Sequence, residues 1–191
     1  MEDLIRDQLE ESRRVKQLVA DTLVPEILAI AELMIASLRG GGLVAFCGNG
    51  GSAADSQHLA GELISRFRRE RNAFRGLALT TDTSILTAIG NDYGFDRVFA
   101  RQVQGLMREG DVLVSLSTSG NSANCLAAVE VAREQKVHTV AFTGASGGKL
   151  KDVVDVCLCV PSNDTPRIQE SHITIGHIIC DIIEIALTNP A

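Results

Sequence analysis

Leu4, Ile5, Leu9, Val15, Leu18 and Val19 punctuate an otherwise polar stretch, which predicts an amphipathic helix over 3–21. Pro25, suited to a first helical turn, opens a second helix, PEILAIAELMIASLRG, that ends at the glycine run 40–42. Two helices ahead of any strand suit a helical layer or a subunit interface.

Beyond them, short apolar runs alternate with helical periods. LVAFC (43–47), GLALT (76–80), DVLVSLS (111–117), HTVAFTG (138–144) and VVDVCLCVP (153–161) read as strands. SAADSQHLAGELISRF, a short TSILTAIG capped by Asp82, FDRVFARQVQGLMREG, SANCLAAVEVAREQK and a long TPRIQESHITIGHIICDIIEIAL read as helices, with GNDYG (90–94) as a loop. Continuous apolar strands separated by helices predict an α/β three-layer sandwich around a five-stranded parallel sheet, with the N-terminal helices as an extension. No linker or tandem repeat interrupts the pattern, so the expectation is a single domain over 1–191, its core at 41–191 and its first 40 residues in an oligomer interface.

Composition narrows the class. Over 191 residues, 45% are hydrophobic and 22% charged, ordinary for a globular protein. A net charge of −6 argues against a broad nucleic-acid or anionic-membrane surface. The local exception is RFRRERNAFR, Arg66 to Arg75, with five arginines, which suits a solvated rim or a hold on an anionic ligand. The charged opening MEDLIRDQLEESRR does not read as a signal peptide, and no apolar run approaches the roughly 18 residues that span a bilayer. Cys47, Cys125, Cys157, Cys159 and Cys180 form no CxxC pair and no zinc-ribbon spacing, which predicts reduced buried thiols in a cytoplasmic protein.

Two segments are built alike: LVAFCGNGGSAA and VLVSLSTSGNSAN each run from apolar strand through a small-residue loop into a helix. Ligands of parallel α/β sheets bind at the carboxyl ends of strands, and helix N-termini offer free N–H groups to anions. The second loop adds the hydroxyls of Ser117, Thr118, Ser119 and Ser122, a set that suits a compact phosphate, although serine and asparagine also serve as plain caps. The first loop fits G-x-G-x-x-A at Gly48, Gly50 and Ala53, but the acid a dinucleotide site wants about 20 residues on is missing. The nearest candidate, Asp82, lies 34 residues after Gly48. Close backbone approach to a substrate explains the glycines better.

Asp55, His58 and Glu62 follow at i, i+3 and i+7, one face of the next helix. On the last helix, Gln169 and His177 differ by about 80° and share a broad face, whereas His172 lies about 140° from His177. The isoleucines around them predict a helix buried on most faces. A buried histidine beside a glutamine serves equally as a site or as a satisfied polar pair.

These residues together resemble the sugar isomerase (SIS) family, and within it the phosphoheptose isomerases. The resemblance runs through CGNGGSAADSQH with Glu62, LTTDTSILTAIGNDYG, GDVLVSLSTSGNS, FTGASGGKL and TPRIQESH leading to His177. It implies a flavodoxin-like SIS fold and conversion of D-sedoheptulose 7-phosphate to D-glycero-D-manno-heptose 7-phosphate, in ADP-heptose and lipopolysaccharide-core synthesis. It implies a homotetramer with active sites between subunits, and Glu62 and His177 as the acid–base pair. It also implies one zinc ion held by His58, Glu62, Gln169 and His177. Substrate positions implied are Asn49, Gly50, Gly51, Glu62, Asn91, Asp92, Ser117, Thr118, Ser119, Ser122 and Gln169, with Asp55 and Arg66 nearby and Asp164 open. Two alternatives stand beside it: a non-catalytic SIS protein that binds a replication initiator, and an isomerase of another phosphosugar.

Overall fold

The computed structural model describes residues 1–188. Its elements are α1 (Glu2–Thr22), α2 (Val24–Arg39), β1 (Val44–Gly48), α3 (Gly51–Ile64), β2 (Gly76–Ala78), α4 (Thr83–Tyr93), α5 (Val98–Leu106), β3 (Val112–Leu116), α6 (Ala123–Glu134), β4 (His138–Thr143), β5 (Val156–Cys159) and α7 (Thr165–Thr188). All strands pair in parallel, in the order β2-β1-β3-β4-β5. This is the flavodoxin-like order, whose direction of winding reverses between β1 and β3.

Side chains alternate across the sheet as the two-residue period requires. Val44, Phe46, Val114, Phe142 and Leu158 face α2, α3 and α7. Ala45, Cys47, Leu113 and Ala141 face α5 and α6. The bulky residues lie on the first face and mostly small ones on the second. The α/β sandwich is therefore as the sequence indicates.

Several boundaries differ, each for a physical reason. β2 stops at Ala78 rather than at residue 80, because this edge strand has only β1 to pair with. α3 ends at Ile64 rather than Phe67, because the backbone N–H groups of Phe67, Arg68 and Arg69 are taken by the carboxylate of Glu184. GNDYG is helical rather than a loop: Asp82 caps α4 through the Ile85 N–H at 2.9 Å, and the helix continues until Gly94 at φ +85° stops it. β5 begins at Val156 because a 3-10 turn over Gly148–Asp152 precedes it.

α7 is long and apolar enough to cross a membrane by length and composition. It instead packs against α2 and α3 and buries Ile175, Ile179 and Ile183. Burial on most faces does not hold throughout, since Ile178 and Ile185 are 44% and 39% exposed. In α1 residues 2–10 are exposed, and Val15 and Val19 alone are buried.

Candidate active site

The two similar loops leave the sheet side by side. Gly48, the last residue of β1, pairs with Leu116, the last of β3, so both loops sit at the carboxyl edge where the winding reverses. The Asn49 and Asn124 side-chain amides exchange hydrogen bonds at 2.9 and 2.8 Å, which ties the first loop to the first turn of α6. Gly50 adopts φ +56°, ψ −121°, which only glycine accepts readily, and its α-carbon faces open space. In the second loop the Ser117 and Ser122 hydroxyls bond each other at 2.8 Å. Ser122 precedes α6 without a side-chain cap, and Asn124 Oδ1 accepts the Cys125 N–H at 3.0 Å, which leaves the N–H groups of Ala123 and Asn124 to an external anion.

Below the loops, α3 and α7 lie against each other in register. Gln169 packs its amide on Gly51, and Leu59 packs on Gly176. The register brings His58 and His177 together, their Nε2 atoms 2.8 Å apart and their ring planes tilted by 58°. Glu62 joins them, its Oε1 3.2 Å from His58 Nε2. One donor atom from each of the three lies within 4.8 Å of the others. His58 is half-exposed and Glu62 is mostly covered, at 49% and 22% side-chain exposure, so the cluster opens toward a ligand. Phe67 stacks on His177, with ring centroids 5.5 Å apart and planes 27° from parallel.

The arrangement offers a carboxylate and two imidazoles beside a serine-rich turn, and known proteins share the chain that carries it. The SIS domain model matches residues 8–144. A phosphoheptose isomerase from Roseiflexus sp. (strain RS-1) is 58% identical over 178 residues, 93% of this chain and 90% of that one. One from Rhodospirillum rubrum is 55% identical over 184 residues, 93% and 98% of the two chains. The solved phosphoheptose isomerase from Neisseria gonorrhoeae superposes with TM-score 0.92 at 48% identity, over 96% of this chain and 98% of that one. The one from Francisella tularensis gives 0.93 at 41%, over 96% and 97%. The chain belongs to the phosphoheptose isomerases of the SIS domain family.

A phosphoheptose isomerase is an enzyme, which sets aside the adaptor alternative. The other candidate residues of this isomerase fall in different places. Gln169 lies at the loop end of the α3–α7 seam, and no hydrogen bond joins its amide to His58, Glu62 or His177. Asp55 sits one turn ahead of His58, half-buried, with Oδ2 covered and unpartnered. Burial pushes its carboxyl up, partly offset by His58. Asn91 and Asp92 bond each other at 2.8 Å on the exposed last turn of α4, and neither bonds to the two loops. Thr118 and Ser119 lie in the second loop, and Ser119 Oγ accepts the Asn121 N–H. Asp164 is exposed, beside Arg167.

The arginine run is largely the solvated rim that the sequence suggests, since Arg66, Arg68 and Arg75 are exposed, and Arg71 is the exception. Arg68 and Arg69 pair with Asp181 of α7, and Arg71 is buried against Glu184. Arg75 donates to the Gly41 carbonyl, and Arg66 pairs on the surface with Glu70. Asn124, Phe67, Arg71 and Glu184 were not singled out from the sequence. For Glu184 a signal existed: it stands seven residues after His177, an acid in an isoleucine-rich run.

His172 is a core residue, away from the cluster, as its angle predicts. Its Nε2–H donates to the Thr143 carbonyl at 3.1 Å, and Nδ1 has no partner among the described residues. Burial holds its pKa down at about 4, against an ordinary 6.5. The unfolded chain therefore takes up this proton at a higher pH than the folded one. Stability from this group is complete above pH 6.5 and is lost as the pH falls toward 4, by on the order of 3 kcal/mol. Urea unfolding across that window should show a shallower loss in His172→Gln than in the parent chain. Equal slopes would refute this origin.

Proposed function

We propose that this phosphoheptose isomerase interconverts D-sedoheptulose 7-phosphate and D-glycero-D-manno-heptose 7-phosphate, in the cytoplasm, on the way to ADP-heptose and the lipopolysaccharide core. The observation that carries the reading is the meeting of His58, Glu62 and His177 beside the serine-rich turn. Ketose-to-aldose conversion removes a proton from C1 and returns one to C2 through an enediol, while a hydroxyl proton passes from O1 to O2. Glu62 takes and returns the carbon-bound proton, and His177 handles the oxygen-bound one. Ser117, Thr118, Ser119, Ser122 and the start of α6 hold the phosphate. Asn49, Gly50, Gly51 and Gln169 line the sugar.

The donor set also fits zinc. Two imidazole nitrogens and a carboxylate oxygen converge, the ligand types of catalytic zinc sites. His58, Glu62 and His177 would hold the ion, with Gln169 as the fourth ligand; because a zinc-bound carboxylate is a poorer base, the acid–base roles of Glu62 and His177 rank above ligation. Bound zinc would polarise the carbonyl and stabilise the enediolate oxygen.

The apolar surface supports a homotetramer built from copies of one SIS domain over 1–191, with the first two helices in its interfaces and its active sites between subunits. α4 fully buries none of its residues and leaves Ile85 and Tyr93 exposed. A groove of about 320 Å³ between α1, α2 and α7 is lined by Val19, Ile27, Ile178 and Ile182. In such an assembly a neighbour would bring Asn91 and Asp92 to the sugar.

Turnover of seven-, six- and five-carbon ketose phosphates, each with and without a chelator, tests the assignment. The highest kcat/KM is expected on the seven-carbon substrate, with loss on chelation and recovery on added zinc. A clear preference for a shorter sugar overturns the substrate. Full activity in metal-free protein overturns the zinc requirement.

A further inference from the structure

Arg71 and Glu184 lie outside the reactive cluster, and both are buried, at 5% and 0% side-chain exposure. Arg71 Nε donates to Glu184 Oε1 at 3.1 Å. The Glu184 carboxylate also accepts the backbone N–H groups of Phe67, Arg68 and Arg69 at 3.0, 2.7 and 2.8 Å. These bonds keep the carboxyl below its ordinary range despite a burial that pushes the other way. From its far end, the Arg71 guanidinium donates to the carbonyls of Glu62 and Leu63 at 2.8 and 2.9 Å. Those carbonyls belong to the last turn of α3, which has no helical partner for them.

A buried ion pair is poor glue, since desolvation offsets most of its attraction and a well-packed apolar pair often holds as firmly. What this pair supplies is direction. Glu184 stands two turns after His177 on the same face of α7. It grips the segment whose first gripped residue is Phe67, and Phe67 turns back to stack on the His177 ring. Arg71 carries the same tie to the backbone of Glu62 itself. One buried pair thus connects the carrier of the carboxylate to the carrier of the imidazole, and seats the ring that limits how the imidazole can turn. Outside it, Arg68 and Arg69 pair with Asp181 and hold the same segment to α7.

We propose that Arg71, Glu184 and Phe67 are positioning residues of this isomerase, which fix the spacing of Glu62 and His177 without touching substrate. The proposal rests on the acid–base reading of those two side chains. Full-length Phe67→Ala, Phe67→Tyr and Glu184→Gln provide the test. Well below its melting temperature, Phe67→Ala should lose roughly 10–100-fold in kcat, the scale for displaced reacting groups and for partners that orient ligating histidines. KM should stay within about twofold, because the phosphate contacts are untouched. Phe67→Tyr, which restores a ring, should recover most of the loss. Glu184→Gln turns an amide N–H₂ toward backbone donors and should lower both kcat and the melting temperature. If that variant does not fold, Phe67→Ala, which leaves the ion pair intact, carries the test. Unchanged kcat in Phe67→Ala overturns the proposal, and so does unchanged kcat in a folded Glu184→Gln that merely melts earlier.

Crystal structures of the variants give a reading that needs no turnover. The His58 Nε2–His177 Nε2 separation should lengthen by about 1 Å in Phe67→Ala, a displacement large enough to matter for catalysis. An unchanged separation overturns the proposal. A lengthened separation in a protein that turns over no heptose phosphate would sink the isomerase reading and leave only the structural tie from Phe67 to the two histidines.

Discussion

Glu62→Gln is expected to lower kcat by about 10³-fold, the middle of the range for a general acid–base group. The exchange keeps the size and most of the shape of the side chain and removes its basicity. Glu62 sits at the last turns of α3, 3.2 Å from His58, where an amide can still pack and accept a hydrogen bond. Melting temperature and oligomeric state should therefore stay close to those of the parent chain, and KM should change less than kcat. Asp55→Asn is the matching control for charge on the same helix face. Asp55 is one turn nearer the loops, and its covered oxygen bonds to neither histidine. Its loss should be smaller than that of Glu62→Gln. Near-normal turnover in Glu62→Gln would remove the carboxylate from the mechanism, and a larger loss in Asp55→Asn would move the role to Asp55.

The sheet and the two loops were readable because each rests on local signals. Strands buried on both faces leave unbroken apolar runs, and a turn from strand to helix leaves small residues at a fixed place. The face shared by Asp55, His58 and Glu62 followed from helical geometry alone. The meeting of His58 with His177 did not, because residues 119 apart are brought together by the register of two packed helices. Spacing along either helix is silent on that register. The end of α3 was misplaced for a related reason. No local breaker stops it, and the Glu184 carboxylate, far along the chain, takes the N–H groups that would have continued the helix. The same carboxylate hides Arg71 inside the protein, whereas an arginine run taken by itself suits a solvated rim or an anion site. GNDYG shows the opposite error: residues typical of turns stay helical because a capped start and a stop at Gly94 lie on either side.

Gly120→Ala should damage the serine-rich loop more than any other single methyl. Gly120 is buried at φ +65°, where side chains are strained before any contact is counted. An added Cβ would overlap the Gly147 carbonyl, 2.5 Å from its carbon, and stand 2.9 Å from the Gly148 nitrogen. These are backbone atoms of the neighbouring glycine-rich turn, so no rotamer change relieves the clash. Gly120 is also pinned on both sides, donating to the Ser117 carbonyl at 2.9 Å and accepting the Leu150 N–H at 3.0 Å. The two turns must separate, and the Ser117–Ser122 pair and the start of α6 move with them. A stability loss of roughly 2–4 kcal/mol is expected, the range of overpacking combined with backbone strain. Gly41→Ala is the comparison, since Gly41 has φ +76° and an added Cβ there would meet no atom among the described residues. It should lose only about 1–2 kcal/mol. In folded Gly120→Ala, KM should rise by at least about tenfold, because the phosphate contacts are lost while the α3–α7 seam is intact. Denaturant unfolding and steady-state kinetics on the same samples separate the two effects. A Gly120→Ala chain as stable as Gly41→Ala and with an unchanged KM would show that the serine-rich turn does not hold the phosphate in the way its geometry indicates.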